Sequence, residues 1–260
     1  MTIRLASIGD SFTEGVGDET PEGEPIGWAD RVALGLASAM PDDDVYYVNM
    51  AIRGRLQDAI VHEQLDVVLA LDPLPTHVTF NGGGNDMMRP GYSDERMTAM
   101  IRRVFDECAV RGVQVVILSG ADPFDRLPGG KRLRRLGDRL TVLVDELSQR
   151  EGVTFVDNFR DVQMRDSAYW SVDRLHLNTV GHRRVASRVL TALGVPTELP
   201  VATAHDAAPS GLRGELAYWH AYVLPWIGRR LTGRSSGDGR SPKYPQWTRV
   251  SAEGIGVLHE

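Results

Sequence analysis

Apolar positions along the chain follow two rhythms. Short runs at Ile3–Ile8, Val45–Asn49, His77–Phe80, Gln114–Leu118 and Thr154–Val156 predict strands. Between them, apolar residues recur every three or four positions over Gly27–Ala39, Leu56–Leu69, Asp94–Arg111, Leu133–Arg150 and Thr179–Leu193, which predicts helices. The last helix has Asn178 before it as an N-cap and Gly194 after it as a stop. Strands alternating with crossover helices describe an α/β fold, a doubly wound parallel sheet of about five strands with ligands beyond the strands' carboxyl ends.

From about Val195 the rhythm breaks, so residues 1–195 read as one domain and 196–260 as a C-terminal extension. Pro196, Pro200 and the stretch Thr203–Ser210 read as a linker. Leu212, Leu216, Trp219, Val223, Trp226, Ile227 and Leu231 then return at helical spacing, with Pro225 interrupting them. Gly233–Arg240 looks flexible. The stripe through Trp219, Trp226, Ile227 and Leu231 is too apolar to stay in water. Packing on the core is the first reading of it, with a homodimer contact or a lipid-facing lid beside Arg229 and Arg230 as alternatives.

Suspicious polar residues sort to the carboxyl edge of the predicted sheet. Ser11 follows the first strand, Gly54 the second and Asn85 the third; Asp122 and Phe124 follow the fourth. Asp173 and His176 follow the fifth, three residues apart, so the carboxylate can orient the imidazole within one short turn. A serine hydroxyl is a weak nucleophile at neutral pH and needs a base, which in turn needs an orienter. Acyl transfer also needs donors for a tetrahedral oxyanion. The N–H groups of Ser11 and Gly54 and the side-chain amide of Asn85 are the candidates.

These residues lie in Gly9-Asp10-Ser11, Asn49-x-Ala51-x-x-Gly54, Gly83-x-Asn85-Asp86 and Asp173-x-x-His176. In that order they resemble the motifs of the SGNH hydrolases, the GDSL esterase/lipase family, over roughly residues 3 to 193. The resemblance implies a three-layer flavodoxin-like fold and a metal-independent serine hydrolase acting on small-molecule esters. It implies Ser11 as nucleophile, His176 as base, Asp173 as its orienter, and Ser11, Gly54 and Asn85 as the oxyanion hole. Phe12 stands where the naming motif has leucine, a position expected to face the core. Acyl transfer to an alcohol, or thioester cleavage, would use the same residues. A phosphate- or nucleotide-binding module is the reading from another class, but no phosphate-loop pattern follows the first strand. A third is an interaction protein whose working part is the Trp-rich tail.

Composition narrows the rest. A net charge of -6 argues against nucleic acid as partner. Cys108 is the one cysteine, so no intramolecular disulfide can form, and its helical surroundings suggest a buried structural thiol. The histidines show no metal-binding spacing, and no cofactor is expected. No apolar run approaches ~18 residues, and Met1–Leu5 runs straight into the first strand, so neither a membrane span nor a secretory signal is expected and the cytoplasm is the simplest location. Asp10, Asp86 and Glu14 are read as loop ties, and His182 as a surface residue of the last helix. Lys131, Arg132, Arg134 and Arg135, with Arg126 and Arg139, are read as a solvated face, or else a cationic rim for anionic substrates. Tyr169 and Trp170 are packing aromatics or pocket walls.

Overall fold

A computed structural model describes residues 2–127, 129–203 and 235–256. Its strands are β1 (Thr2–Ile8), β2 (Asp44–Asn49), β3 (His77–Phe80), β4 (Gln114–Leu118), β5 (Val153–Val156), β6 (Tyr244–Ser251) and β7 (Gly254–Ile255). They form one seven-stranded sheet in the order β5-β4-β3-β1-β2-β6-β7. The first five are mutually parallel, and β6 and β7 add antiparallel beyond β2. The chain is therefore α/β as expected, but the sheet is mixed and larger than the five strands read from the sequence.

Period-two alternation sends successive side chains to opposite faces of each strand. Ile3 and Leu5 of β1, Val45 and Tyr47 of β2, and Val116 and Leu118 of β4 pack on α2 (Gly27–Ala39) and on the C-terminal helix Thr179–Ala192. Ala6 and Ile8, Val48, and Val115 and Ile117 point the other way, into a second core. That core is closed by α3 (residues 57–68), α5 (Asp94–Val110) and α6 (Gly130–Leu147). Two four-residue helices, α1 (Ser11–Glu14) and α4 (Gly84–Met87), sit at the carboxyl edge of the sheet, and Thr179–Ala192 is α7.

Capping fixes the longer helices. Ser93 accepts from Arg96 N–H at the start of α5, with Asp94 and Glu95 in the first turn. Asn178 accepts from Gly181 N–H at 3.0 Å, as its place in the sequence suggested. The stretch expected as one helix over Leu56–Leu69 is instead α-helical at Gln57–Ala59, π-helical at Ile60–Gln64 and α-helical again at Leu65–Val68. The predicted Leu133–Arg150 helix begins earlier and ends earlier, at Gly130 and Leu147.

The tail departs most from expectation. Residues 235–240, read as flexible, form a turn leading into β6, and Gly237 is buried. The stripe of Trp219, Trp226, Ile227 and Leu231 lies outside the described residues, as do Pro225, Arg229 and Arg230, and with them the proposed dimer contact and lid. Cys108 is buried among apolar neighbours, which pushes its thiol up to about 12.

Candidate active site

Ser11 is the first residue of α1, directly beyond β1. The helix is too short to hold itself, so its ends are fixed by neighbours. Asp10 is the N-cap, its Oδ1 accepting from Phe12 N–H at 3.1 Å, and Gly15 ends the turn with φ 99°. The peptide before it is clasped by Gln64, whose Oε1 accepts from Gly9 N–H at 2.8 Å and whose Nε2 donates to Gly9 O at 2.9 Å. Gln64 is the last residue of the π-helical turn in α3. One extra residue in that turn alters the helix face that follows, a device found often at functional sites.

The loop before α7 supplies the partners. It is closed by a bridge between Trp170 and Leu177. Asp173 Oδ1 accepts from the Ser171 hydroxyl and from the N–H groups of Leu175 and His176, while Oδ2 lies 2.5 Å from His176 Nδ1. Arg174 between them adopts φ 60°, a left-handed conformation uncommon for a residue with a Cβ. His176 Nε2 lies 2.9 Å from Ser11 Oγ. With the imidazole proton on Nδ1 facing Asp173, Nε2 is left to accept from the serine. Burial by itself would raise the Asp173 pKa. Its bonds to the His176 ring, to His176 N–H and to Ser171 outweigh that and hold it well below the usual carboxylate range.

The three candidate oxyanion donors are not equivalent. Among the described residues, Ser11 N–H and Gly54 N–H meet no acceptor. Asn85, on α4, already uses both hydrogens of its Nδ2, donating to Asp10 Oδ2 at 3.0 Å and to Arg55 O at 3.1 Å. An oxyanion would have to share one of these. Asp10 is thus the acceptor that orients Asn85 as well as the cap of α1. Burial drives its pKa up to about 6, against the opposing pull of Phe12 N–H and the His176 charge, with Asp86 adding to the rise.

A cavity of about 140 Å³ opens at Ser11, His176 and Asn85. Its inner wall is apolar: Met87, Phe124, Leu140, Val144 and Phe159. Trp170 also lines the cavity, while its Nε1 donates to Met164 O, so it both packs and lines. Tyr169 is buried and does not reach the cavity. Gly54 is not among the lining residues.

Glu14 and Asp86 hold loops together, as read from the sequence, whereas His182 departs from its reading. Glu14 receives the N–H of Arg53 at 2.5 Å and its guanidinium at 2.6 and 2.8 Å, which ties α1 to the loop carrying Gly54. Asp86 accepts from Gln57 N–H. His182 is fully buried rather than on the surface. Its Nδ1 accepts from Trp28 N–H, its Nε2 donates to Val16 O, and its ring stacks on Phe12. Burial lowers its pKa to about 4, so it is a neutral spacer behind the loop that carries Ser11. Phe12 is partly buried against the same core, as a replacement for leucine should be. Of the arginine run, Lys131, Arg132, Arg135 and Arg139 are exposed, while Arg134 is held by Asp122 and Asp125. Among the described residues no three His, Cys, Asp or Glu side chains converge as metal ligands, and no helix is long and apolar enough to cross a membrane.

The sequence model of the GDSL-like lipase/acylhydrolase family matches residues 7–184. No curated protein matches the chain. Solved structures share its fold at low identity. A catalytic mutant of the acetylxylan esterase Axe2 from Geobacillus stearothermophilus is 20% identical with a TM-score of 0.61, over 77% of this chain and 97% of that one. The lipase Lip_vut3 from a goat rumen metagenome is 17% identical with a TM-score of 0.58, over 73% and 97%. The psychrotrophic esterase EstA from Pseudoalteromonas sp., inhibited by monoethylphosphonate, is 17% identical with a TM-score of 0.54, over 74% and 96%.

Proposed function

Since the chain belongs to the GDSL-like lipase/acylhydrolase family, whose members act on ester bonds, we propose that it is a serine esterase taking a short apolar acyl group through an acyl-enzyme. The observation that carries this reading is the line Asp173 Oδ2, His176 and Ser11 Oγ, with gaps of 2.5 and 2.9 Å.

In this reading Ser11 Oγ attacks the ester carbonyl carbon as its proton passes to His176 Nε2, and Asp173 steadies the imidazolium. The carbonyl oxygen, now carrying the charge, collects the N–H groups of Ser11 and Gly54 and one hydrogen of Asn85. His176 returns the proton to the departing alkoxide, which leaves as the alcohol. Water then attacks the acyl-enzyme by the same route, releasing the acid and restoring Ser11.

The cavity suggests what the acyl group is. At about 140 Å³ with apolar inner walls, it compares with an apolar cavity of about 150 Å³ that holds benzene. An acyl chain of about four to six carbons fills such a space. A series of p-nitrophenyl esters of rising chain length tests the reading. The expected optimum lies near butyrate to hexanoate, with a steep fall beyond. A fluorophosphonate probe should label the wild-type chain and fail on Ser11→Ala. Labelling that survives the substitution removes Ser11 as nucleophile, and activity confined to acetate removes the acyl-chain reading.

A further inference from the structure

The loop Ile52–Gly54, which carries one of the unspent oxyanion N–H groups, is gripped from two sides. One grip is Glu14, on the Arg53 N–H and guanidinium. The other comes from far along the chain, from the turn that leads into β6. Gly54 has φ 77°, and a Cβ built on it would lie 2.3 Å from Ser235 Oγ and 3.0 Å from Ser236 Oγ. A Cβ on Gly237 would lie 2.1 Å from Arg53 O and 2.9 Å from Ile52 Cγ2. Gly237 thus packs directly on the Arg53 carbonyl, where a Cβ would meet backbone, while Gly54 packs under the hydroxyls of Ser235 and Ser236 in a left-handed conformation that disfavours a side chain.

The turn is itself well fixed. Ser235 N–H donates to Asp238 Oδ2 at 2.9 Å, Gly237 N–H to Ser235 Oγ at 3.2 Å, and Arg240 N–H to Gly237 O at 3.1 Å. Beyond it, Lys243 Nζ donates to the carbonyls of Pro25 and Ile26 and to buried Asp30. Asp30 Oδ1 in turn accepts from Tyr47 and from Asn49 Nδ2, and Asn49 Oδ1 accepts from Ala51 N–H where the Gly54 loop begins. Strand β6 then pairs with β2, the strand that feeds that loop, with a register shift between Tyr47 and Asn49. The tail reaches the loop at both ends: at its start through Lys243, Asp30 and Asn49, and at its tip through Ser235 to Gly237.

We propose that the C-terminal turn at residues 235–243 is a working part of the active site, with Gly237 as a positioning residue that seats Arg53–Gly54 so that Gly54 N–H meets the oxyanion. The proposal rests on the reading of Gly54 as an oxyanion donor. Its physical basis is the steepness of such contacts: a displacement of ~1 Å at a site of this kind can cost ~10²-fold in rate. Gly237 does not occupy the left-handed region of backbone space. A substitution there acts through the added Cβ on Arg53 O and not through backbone strain.

The test is a graded series, Gly237→Ala, Gly237→Val and Ser235→Ala, with exposed Gln246→Ala in β6 as control. Each is assayed for kcat and KM on one p-nitrophenyl ester, with circular dichroism and thermal melting to establish that it is folded. The expected result is a stepwise fall in kcat from Gly237→Ala to Gly237→Val, reaching tenfold or more, with KM within threefold of wild type and Gln246→Ala unchanged. Ser235→Ala, which adds no bulk, reads the same effect if the valine variant does not fold, and it should lower kcat by a few-fold. Folded Gly237 variants with wild-type kcat overturn the proposal. So does a rise in KM at constant kcat, since the turn would then be touching substrate. Failure of the parent reading looks different: a wild-type chain that hydrolyses no ester, or ester hydrolysis that survives Ser11→Ala undiminished.

Discussion

Asp10 sits where stability and catalysis pull in opposite directions, and Asp10→Asn separates them. The wild-type carboxyl is buried, with its pKa raised from 3.8 to about 6. In the unfolded chain it titrates near the ordinary value. Below that value it is protonated in both states and contributes nothing to the difference. As pH rises, the unfolded state releases the proton first, so folding becomes less favourable until the folded group also ionises. A shift of about two units corresponds to about 3 kcal/mol. This is the stability the wild type should lose, relative to Asp10→Asn, between roughly pH 4 and pH 7. The variant carries its own fixed cost, because an amide nitrogen facing Asn85 Nδ2 cannot accept its hydrogen, worth about 1 kcal/mol. That cost does not vary with pH; the slope belongs to the charge. Urea melts of both proteins at several pH values measure it. Over the same range Asp10→Asn should have lower kcat at every pH, because Asn85 loses the acceptor that orients it. A stability difference that stays flat from pH 4 to pH 7 would show that Asp10 is not held at a raised pKa, and unchanged kcat would show that it does not orient Asn85.

Three further outcomes follow from the same contacts. Asn85→Ala should lower kcat by about 10²–10³ with little change in KM, since that donor matters chiefly in the transition state, and steady-state kinetics on one ester would show it. Val144→Ala, at the apolar inner wall, should move the chain-length optimum of the ester series toward longer acyl groups; an unmoved optimum would mean the acyl group lies elsewhere. Lys243→Met leaves Asp30 buried without its cation and should cost about 3–5 kcal/mol in a urea melt, most of it recovered by adding Asp30→Asn.

The parallel half of the fold was legible because its signals are local. Five strands and most helix ends fall within a few residues of where alternation and capping put them, and Asn178 caps α7 as its position suggested. The grouping of Ser11, His176 and Asp173 was legible for a different reason: a strand-end serine and a carboxylate three residues before a histidine are types and spacings that few structural roles require together. What stayed hidden depends on partners distant in sequence. The π-turn at Ile60–Gln64 makes sense only once Gln64 is seen clasping Gly9. His182 reads as a surface residue by its polarity, yet it shares the buried stripe of α7 with Val185, Ala186 and Val189; the first loop supplies Val16 O to it and the start of α2 supplies Trp28 N–H.

Strand β6, whose outer side is open except where two-residue β7 pairs with Val250 and Ser251, was hidden by the features that protect that open side. Its sequence, Tyr244-Pro245-Gln246-Trp247-Thr248-Arg249-Val250-Ser251, carries a proline and an arginine and buries only Val250. A proline inside an apolar run argues against a central strand, because it cannot donate to a ladder, and charge on an edge blocks pairing with other chains. The strand is therefore specified less by its own pattern than by anchors elsewhere: Lys243 on Asp30, Trp247 Nε1 on Pro73 O, and Arg249 on Asp44. Each anchor is a polar contact across more than 170 residues of sequence. A strand held in this way takes its position from the completed parallel sheet. The same pairing brings its leading turn to Arg53 and Gly54, since Tyr244 at the start of β6 pairs with Asn49, where β2 hands the chain to the Ile52–Gly54 loop.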